Sequence, residues 1–210
     1  MKKDSALLIL PGKLPRKEIV LPLLKRKERL LIAVDGGYDN LRDLDLLPEI
    51  LIGDMDTISS TEGVPSSVEV IRLDTHKDIT DLEAALILCK DRALTHVTLL
   101  GGTSGSRIDM IFNNIAVCAG YVLQGLDITI LGDQRIDLLS AGRTALIHQG
   151  RFSVLSVFNN SEVRIKDAVY EFEGELSPAS SRGISNEALK DHTSEITCLS
   201  GLIAVFSEID

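Results

Sequence analysis

Up to about Leu126 the chain alternates short apolar runs with stretches whose apolar positions recur at helical spacing. The runs Ala6–Leu10, Leu30–Val34, Ile50–Ile52, Val68–Leu73 and Val97–Leu100 have the length and bounding turns of buried strands. Between them lie amphipathic helices. The clearest is predicted to start at Thr80, where Thr80 and Glu83 have capping-box spacing. Leu82, Ala85, Leu86 and Cys89 then form an i, i+3, i+4, i+7 stripe. A longer helix is predicted from about Ile108 to Leu123. Its stripe is Ile108, Ile111, Phe112, Ile115, Ala119 and Val122, and Gly125 is placed to end it. After Leu126 the texture changes to short, often alternating segments: Asp127–Leu131, Thr144–Ile147, Phe152–Phe158, Val163–Ile165, Val169–Phe172, Glu195–Leu199 and Leu202–Phe206. Gly-Asp, Ala-Gly, Gln-Gly, Asn-Asn and Ser-Gly turns separate them.

Strands alternating with helices predict a parallel, Rossmann-like α/β domain over residues 1–126. The later run of turns and strands predicts an all-β sandwich over residues 127–210. In a parallel sheet the ligand crevice lies beyond the carboxyl ends of the strands. Polar residues gather at those ends. Asp35-Gly36-Gly37 follows the second run, and Gly53-Asp54-Met55-Asp56-Thr57 follows the third. Asp74, Lys77, Asp78, Thr80 and Asp81 follow the fourth, and Gly101 to Asp109 the fifth.

Each cluster has a chemical use and a plainer alternative. Asp54 and Asp56, two apart in extended chain, point to one side. Paired carboxylates repel unless a cation such as Mg²⁺ lies between them, whereas Asp and Gly are also ordinary turn residues. Gly36 and Gly37 either admit an anion to backbone N–H groups or make a tight strand-to-helix turn. The loop containing Gly102 and Ser104 offers a phosphate cradle with Arg107 as a forked donor. Alternatively, Arg107 pairs with Asp109 on the surface. Asp81 favours the helix dipole even without a ligand; with one, it is a third metal carboxylate. No P-loop, dinucleotide fingerprint or nucleophile elbow is present. Metal-assisted transfer to a substrate hydroxyl suits the residues that remain.

Composition narrows the partners. Twenty-two basic against 31 acidic residues give a formal charge of −9, which speaks against nucleic acid or an anionic membrane surface. Lys25-Arg26-Lys27 with Arg29 reads as a solvated helix face. Cys89, Cys118 and Cys198 are far apart and odd in number, so free thiols in a reducing compartment are expected. The first apolar run is stopped by Pro11, too short for a signal segment, and no run reaches transmembrane length. A cytoplasmic protein is expected.

The ordered succession Asp35-Gly36-Gly37, Pro48, Ile52-Gly53-Asp54-Met55-Asp56-Thr57, Lys77-Asp78-Ile79-Thr80-Asp81 and Gly102–Asp109 with Asn114 resembles thiamine pyrophosphokinase. The late Ser181-Arg182-Gly183-Ile184-Ser185-Asn186-Glu187 adds to the likeness. The resemblance implies transfer of a diphosphoryl group from ATP to the hydroxyl of thiamine, giving thiamine diphosphate and AMP. It implies that Asp54, Asp56 and Asp81 hold Mg²⁺. Asp35, Lys77, Arg107 and Asp109 line the phosphate and substrate crevice, with Gly36, Gly37, Thr80, Gly102 and Ser104 beside it. It further implies that Ser185 and Asn186 lie in a β-domain segment near thiamine, at a homodimer interface. The sequence departs from the family pattern at Met55, Thr57, Ser106 and Met110, and it has no Trp to stack on thiamine. Transfer to another heteroaromatic alcohol, such as a hydroxymethylpterin, and non-catalytic nucleotide or thiamine binding are the alternatives.

Overall fold

The computed structural model describes residues 3–59 and 64–209. The chain divides into two compact units. The first comprises residues 1–118 with 130–132, and the second comprises 119–129 with 133–210. This differs from a single cut between residues 126 and 127. The division falls within the 16-residue helix α4 (Ile108–Leu123), whereas the change of sequence texture lies beyond its end.

The first unit contains β1 (Ser5–Ile9), α1 (Lys17–Leu24), β2 (Arg29–Val34), α2 (Gly37–Arg42), β3 (Ile50–Gly53), β4 (Glu69–Arg72), α3 (Asp81–Asp91) and β5 (His96–Leu100). These strands lie in the order β5-β1-β2-β3-β4, all parallel. One row of the ladder reads Leu99, Leu8, Ile32, Ile50, Glu69. Helices on a parallel sheet leave no wet face, which is why β1, β2 and β3 are near-continuous Leu, Ile and Val. At the edge strand β4 the burial lapses and Glu69, Val70 and Arg72 are exposed. With β1 between β2 and β5, the winding reverses at β1, the position where open parallel sheets take ligands.

The second unit adds β7 (Arg135–Ser140), β8 (Thr144–Ile147), β9 (Arg151–Ser156), β10 (Ser161–Lys166), β11 (Phe172–Leu176), β12 (Asn186–Glu187), β13 (Ser194–Ser200) and β14 (Leu202–Ser207). β6 (Asp127–Leu131) is shared between the units. Two antiparallel ladders form, β12-β9-β14-β7 and β11-β10-β13-β8. Phe152, Val154, Ile203 and Val205 from the first bury against one core with Val163, Ile165, Ile196 and Cys198 from the second.

Several elements depart from the sequence reading. β7 is absent from the segments expected from sequence, although Arg135-Ile136-Asp137-Leu138 alternates polar and apolar residues. Asp137 is buried there, with Arg135 Nε at 2.6 Å and Thr129 Oγ1 at 2.9 Å satisfying its carboxylate. The segment predicted at Val169–Phe172 forms its strand at Phe172–Leu176 instead. The Asn186 side chain takes the backbone N–H of Tyr170 and donates to its C=O, so Tyr170 has no need of a ladder. Lys25, Arg26 and Lys27 form the exposed turn after α1 rather than a helix face. On α4 the predicted stripe is only partly buried. Ile108 and Phe112 are each 76% exposed, while Asn114, Cys118 and Tyr121 turn inward with Ala119 and Val122.

Candidate active site

A cavity of about 550 Å³ opens at the carboxyl ends of the parallel strands, within the size range of small-molecule sites. The loops that follow all five parallel strands and the starts of α3 and α4 line it. Leu10, Val34, Leu82, Met110 and Ile111 form its apolar wall. Of the residues singled out from sequence, Asp35, Asp54, Asp56, Lys77, Thr80, Asp81, Gly102, Ser104 and Arg107 line it. Gly36, Gly37 and Asp109 are not among its lining residues.

The β2 and β3 loops are fastened together. The Asp35 N–H donates to Ile52 O at 2.8 Å, extending the parallel ladder past the strand ends. Gly53 makes this approach possible, since a Cβ there would lie 2.8 Å from the Asp35 Cβ. Thr57 then bridges the two loops, accepting from the Gly36 N–H at 3.0 Å and donating to Asp35 Oδ2. Asp39 on α2 accepts from the N–H and hydroxyl of Ser59, at 2.9 and 2.7 Å, and fixes the far end of the acidic loop. Asp35 is thereby held with φ 45°, an uncommon backbone conformation for a residue with a side chain.

Gly37 serves this packing. It is buried, and a Cβ on it would overlap the carbonyl of Ile9 on β1. Ser104 uses its hydroxyl on the loop after β1, accepting from the Lys13 N–H at 2.7 Å. That loop, Pro11 and Gly12, lines the cavity although the sequence reading passed over it. Asn40 of α2 holds it by donating to Leu10 O and Gly12 O, both at 2.9 Å. The signal was the same strand-end pattern used for the other loops. Buried Asn114 donates to Gly102 O at 2.9 Å and sets the Gly-rich loop on α4. Thr80 caps α3 by accepting from the Glu83 N–H at 3.2 Å and so fixes Asp81 at the first helical position.

Carboxylate oxygens of Asp35, Asp54 and Asp81 all lie within 4.8 Å of one another. Asp56 is adjacent but exposed, outside this trio. The Asp54 carboxylate beside it pushes the Asp56 carboxyl above its ordinary range, with lesser contributions from desolvation, a hydrogen bond with Asp54, and the charges of Asp35 and Asp81. Burial likewise raises Asp81, aided by Asp54 and Asp35 and opposed by Lys77. Lys77 Nζ sits 2.8 Å from Asp81 and 3.7 Å from Asp54. Burial works against its ammonium, but these two carboxylates outweigh it and raise its pKa. Arg107 stands at the exposed rim and holds Asp109 through two parallel bonds, Nε–Oδ1 at 2.9 Å and Nη2–Oδ2 at 2.6 Å. This pair keeps the Asp109 carboxyl down at about 2. Because Asp54 is the leading cause of the Asp56 shift, Asp54→Asn is expected to lower the Asp56 titration midpoint toward the ordinary value. Carboxyl-carbon NMR of the metal-free protein would read this, and an unchanged midpoint would contradict the arrangement.

The family model for the catalytic domain of thiamin pyrophosphokinase matches residues 21–130. The chain belongs to the thiamin pyrophosphokinase family. The matched segment contains the β2, β3, β4 and β5 loops and thus every carboxylate of the site. The chain is accordingly an enzyme, a thiamine diphosphokinase using ATP. The fold agrees. The thiamine pyrophosphokinase of Bacillus subtilis superposes with a TM-score of 0.84 at 21% identity, covering 98% of this chain and 99% of its own. That of Geobacillus thermodenitrificans gives 0.80 at 20%, covering 98% of each chain. The Candida albicans protein gives 0.76 at 16%, covering 98% of this chain and 90% of its own. No curated protein matches the chain in sequence. Among the described residues no helix is long and apolar enough to cross a membrane.

Proposed function

We propose that the cavity of the first unit transfers the diphosphoryl group from Mg·ATP to thiamine, with Asp35, Asp54 and Asp81 as the protein ligands of the metal. One observation carries this reading. Oδ1 of Asp35 is buried and has no hydrogen-bond partner among the described residues, in a residue only 4% exposed. A buried carboxylate oxygen left unpaired costs several kcal/mol in effective desolvation, as an order of magnitude, unless a cation completes it. An octahedral Mg²⁺ shell at 2.0–2.1 Å spans about 4.2 Å between opposite oxygens. The 4.8 Å limit on the trio is therefore close to what one ion needs. The all-oxygen donor set also suits a hard cation. Asp56, expected from sequence to be a direct ligand, is assigned to the surrounding shell, where its negative charge still favours the ion.

When bound, the metal supplies charge neutralisation at the phosphoryl oxygens. The chain does the remaining work. The backbone of Gly101, Gly102 and Ser104 borders the phosphates, and Lys77 meets their charge from the α3 side. Arg107, on exchanging Asp109 for substrate, faces the diphosphoryl group as charge moves onto the departing AMP. The thiamine hydroxyl oxygen forms the bond to the β-phosphorus. The bond from that phosphorus to the α–β bridging oxygen breaks, AMP carries away the electron pair, and the hydroxyl proton is released. Asp109 reaches the chemistry only through Arg107 and is a positioning residue in this reading.

The first unit is read as the Rossmann-like nucleotide module. The second is read as a sandwich that contributes thiamine recognition and homodimer contacts. The support for thiamine recognition there is Ser185, held at φ 59° beside Asn186, whose amide fixes the segment by bonding the Tyr170 backbone. Strained residues of this kind persist where surrounding structure over-determines them, commonly at ligand sites. Three buried free thiols suit a reducing, cytoplasmic setting. The test is purified protein with ATP and Mg²⁺, given thiamine or a hydroxymethylpterin and scored for AMP release. AMP formation with thiamine alone, abolished by chelation, is expected. Transfer only to the pterin, or transfer indifferent to chelation, would overturn the reading.

A further inference from the structure

Lys77 stands deeper in the carboxylate cluster than phosphate binding by itself requires. Its side chain is only 17% exposed. Nζ lies 2.8 Å from Asp81 Oδ1, 3.7 Å from Asp54 Oδ2 and 3.4 Å from the carbonyl of Asp74. Two of the three carboxylates assigned to the metal therefore share one ammonium as ion pairs, while Oδ1 of the third, Asp35, is buried with neither an ion pair nor a hydrogen bond among the described residues. A divalent ion among carboxylate oxygens spread over no more than 4.8 Å would sit within a few ångströms of this ammonium. Like charges at that separation are strongly unfavourable in a half-buried site. The lysine stem is long and flexible, so the ammonium has somewhere to go if another anion is offered.

We propose that Lys77 is an exchange cation. It holds Asp54 and Asp81 in place before metal arrives, opposes entry of a bare divalent ion, and yields its place only when a nucleotide phosphate gives its ammonium a new partner. The proposal rests on the assignment of the trio as the metal site. It makes metal and nucleotide binding mutually dependent, by the reciprocity that governs any two coupled ligands. A site blocked by its own ammonium nine-tenths of the time binds free metal about tenfold more weakly than the unblocked site.

The test measures Mn²⁺ binding to nucleotide-free protein by the paramagnetic resonance of free Mn²⁺. The variants are Lys77→Met, Lys77→Gln and Lys77→Arg, each checked for a cooperative melt. Lys77→Met and Lys77→Gln should bind Mn²⁺ about tenfold more tightly than the parent, while Lys77→Arg should bind as weakly as the parent. Adding a non-hydrolysable ATP analogue should reverse the order, with the neutral variants now holding metal and nucleotide less tightly than the parent. Asp54→Asn should abolish the gained Mn²⁺ binding, which locates it at the trio. If the neutral variants bind Mn²⁺ no better than the parent, although Asp54→Asn still weakens binding, the exchange role is wrong and the metal site stands. If Asp54→Asn changes Mn²⁺ binding in no background, the metal site itself is misplaced and the exchange proposal falls with it.

Discussion

Asp54→Asn should lower thiamine diphosphate formation by about a thousandfold or more, equivalent to about 4 kcal/mol of transition-state stabilisation. The nucleotide-free variant should nonetheless melt no earlier than the parent. Asp54 is the centre of the cluster. It belongs to the carboxylate trio, raises Asp56, adds to the raising of Asp81, and reaches Lys77 only at 3.7 Å. Three neighbouring carboxylates repel it against one ammonium at 3.7 Å, so removing its charge relieves more repulsion than it forfeits attraction. The amide keeps the shape and one oxygen but is a weaker ligand for a hard cation. Asp81→Asn should behave differently. It should lose turnover on the same scale but also some stability, because Asp81 holds the 2.8 Å contact with Lys77 and favours the N-terminus of α3 by its charge. Steady-state rates and thermal melts of the two variants side by side would decide. Asp54→Asn retaining Mg·ATP-dependent transfer while losing stability would return the trio to a structural role.

Gly37→Ala should destabilise the fold by about 3 kcal/mol, toward the upper end of what overpacking costs. For a chain of this size that corresponds to a fall in melting temperature of roughly 6–12 °C. The added Cβ would overlap the Ile9 carbonyl, part of a β-strand backbone that has no flexible end to move aside. α2 would have to lift from β1, carrying with it Asn40 and Asp39, which fasten the loops after β1 and β3. Gly36→Ala provides the contrast. Its Cβ would lie 2.7 Å from the Thr57 hydroxyl, a side-chain end that can rotate. That substitution should cost less stability but release Asp35 from Thr57, and so weaken metal-dependent transfer more than it lowers the melt. Equal melting of Gly37→Ala and the parent would mean that α2 and β1 do not approach this closely.

β1, β2 and β3 were legible in the sequence because full burial on both faces demands near-continuous Leu, Ile and Val. β4 and β5 showed as short apolar-bearing runs between turns, and the two long helices through spacing that repeats over many residues. Thr80 gave the start of α3, since a cap is a local interaction between residues three apart. The loops that bear the site were legible for a related reason: in a parallel sheet, whatever follows each strand lands on one rim. Pairings across that rim were not legible. Nothing in the spacing of Asp35 and Asp54 says that a glycine and Thr57 bring their loops together while Asp56, two residues on, stays outside the trio. Extended-chain geometry predicted that Asp54 and Asp56 share a side, but Met55 between them takes φ 70°, which ends the extended run. Ile108 and Phe112 fit a buried stripe by period, yet tertiary packing turned Asn114 and Cys118 inward instead. Periodicity fixes which residues share a helix face, and only the neighbours of that face decide whether it is covered. Composition and local pattern thus determined the elements, their order and the rim on which chemistry gathers. The tertiary structure alone decided which three carboxylates meet, and that an ammonium already stands between two of them.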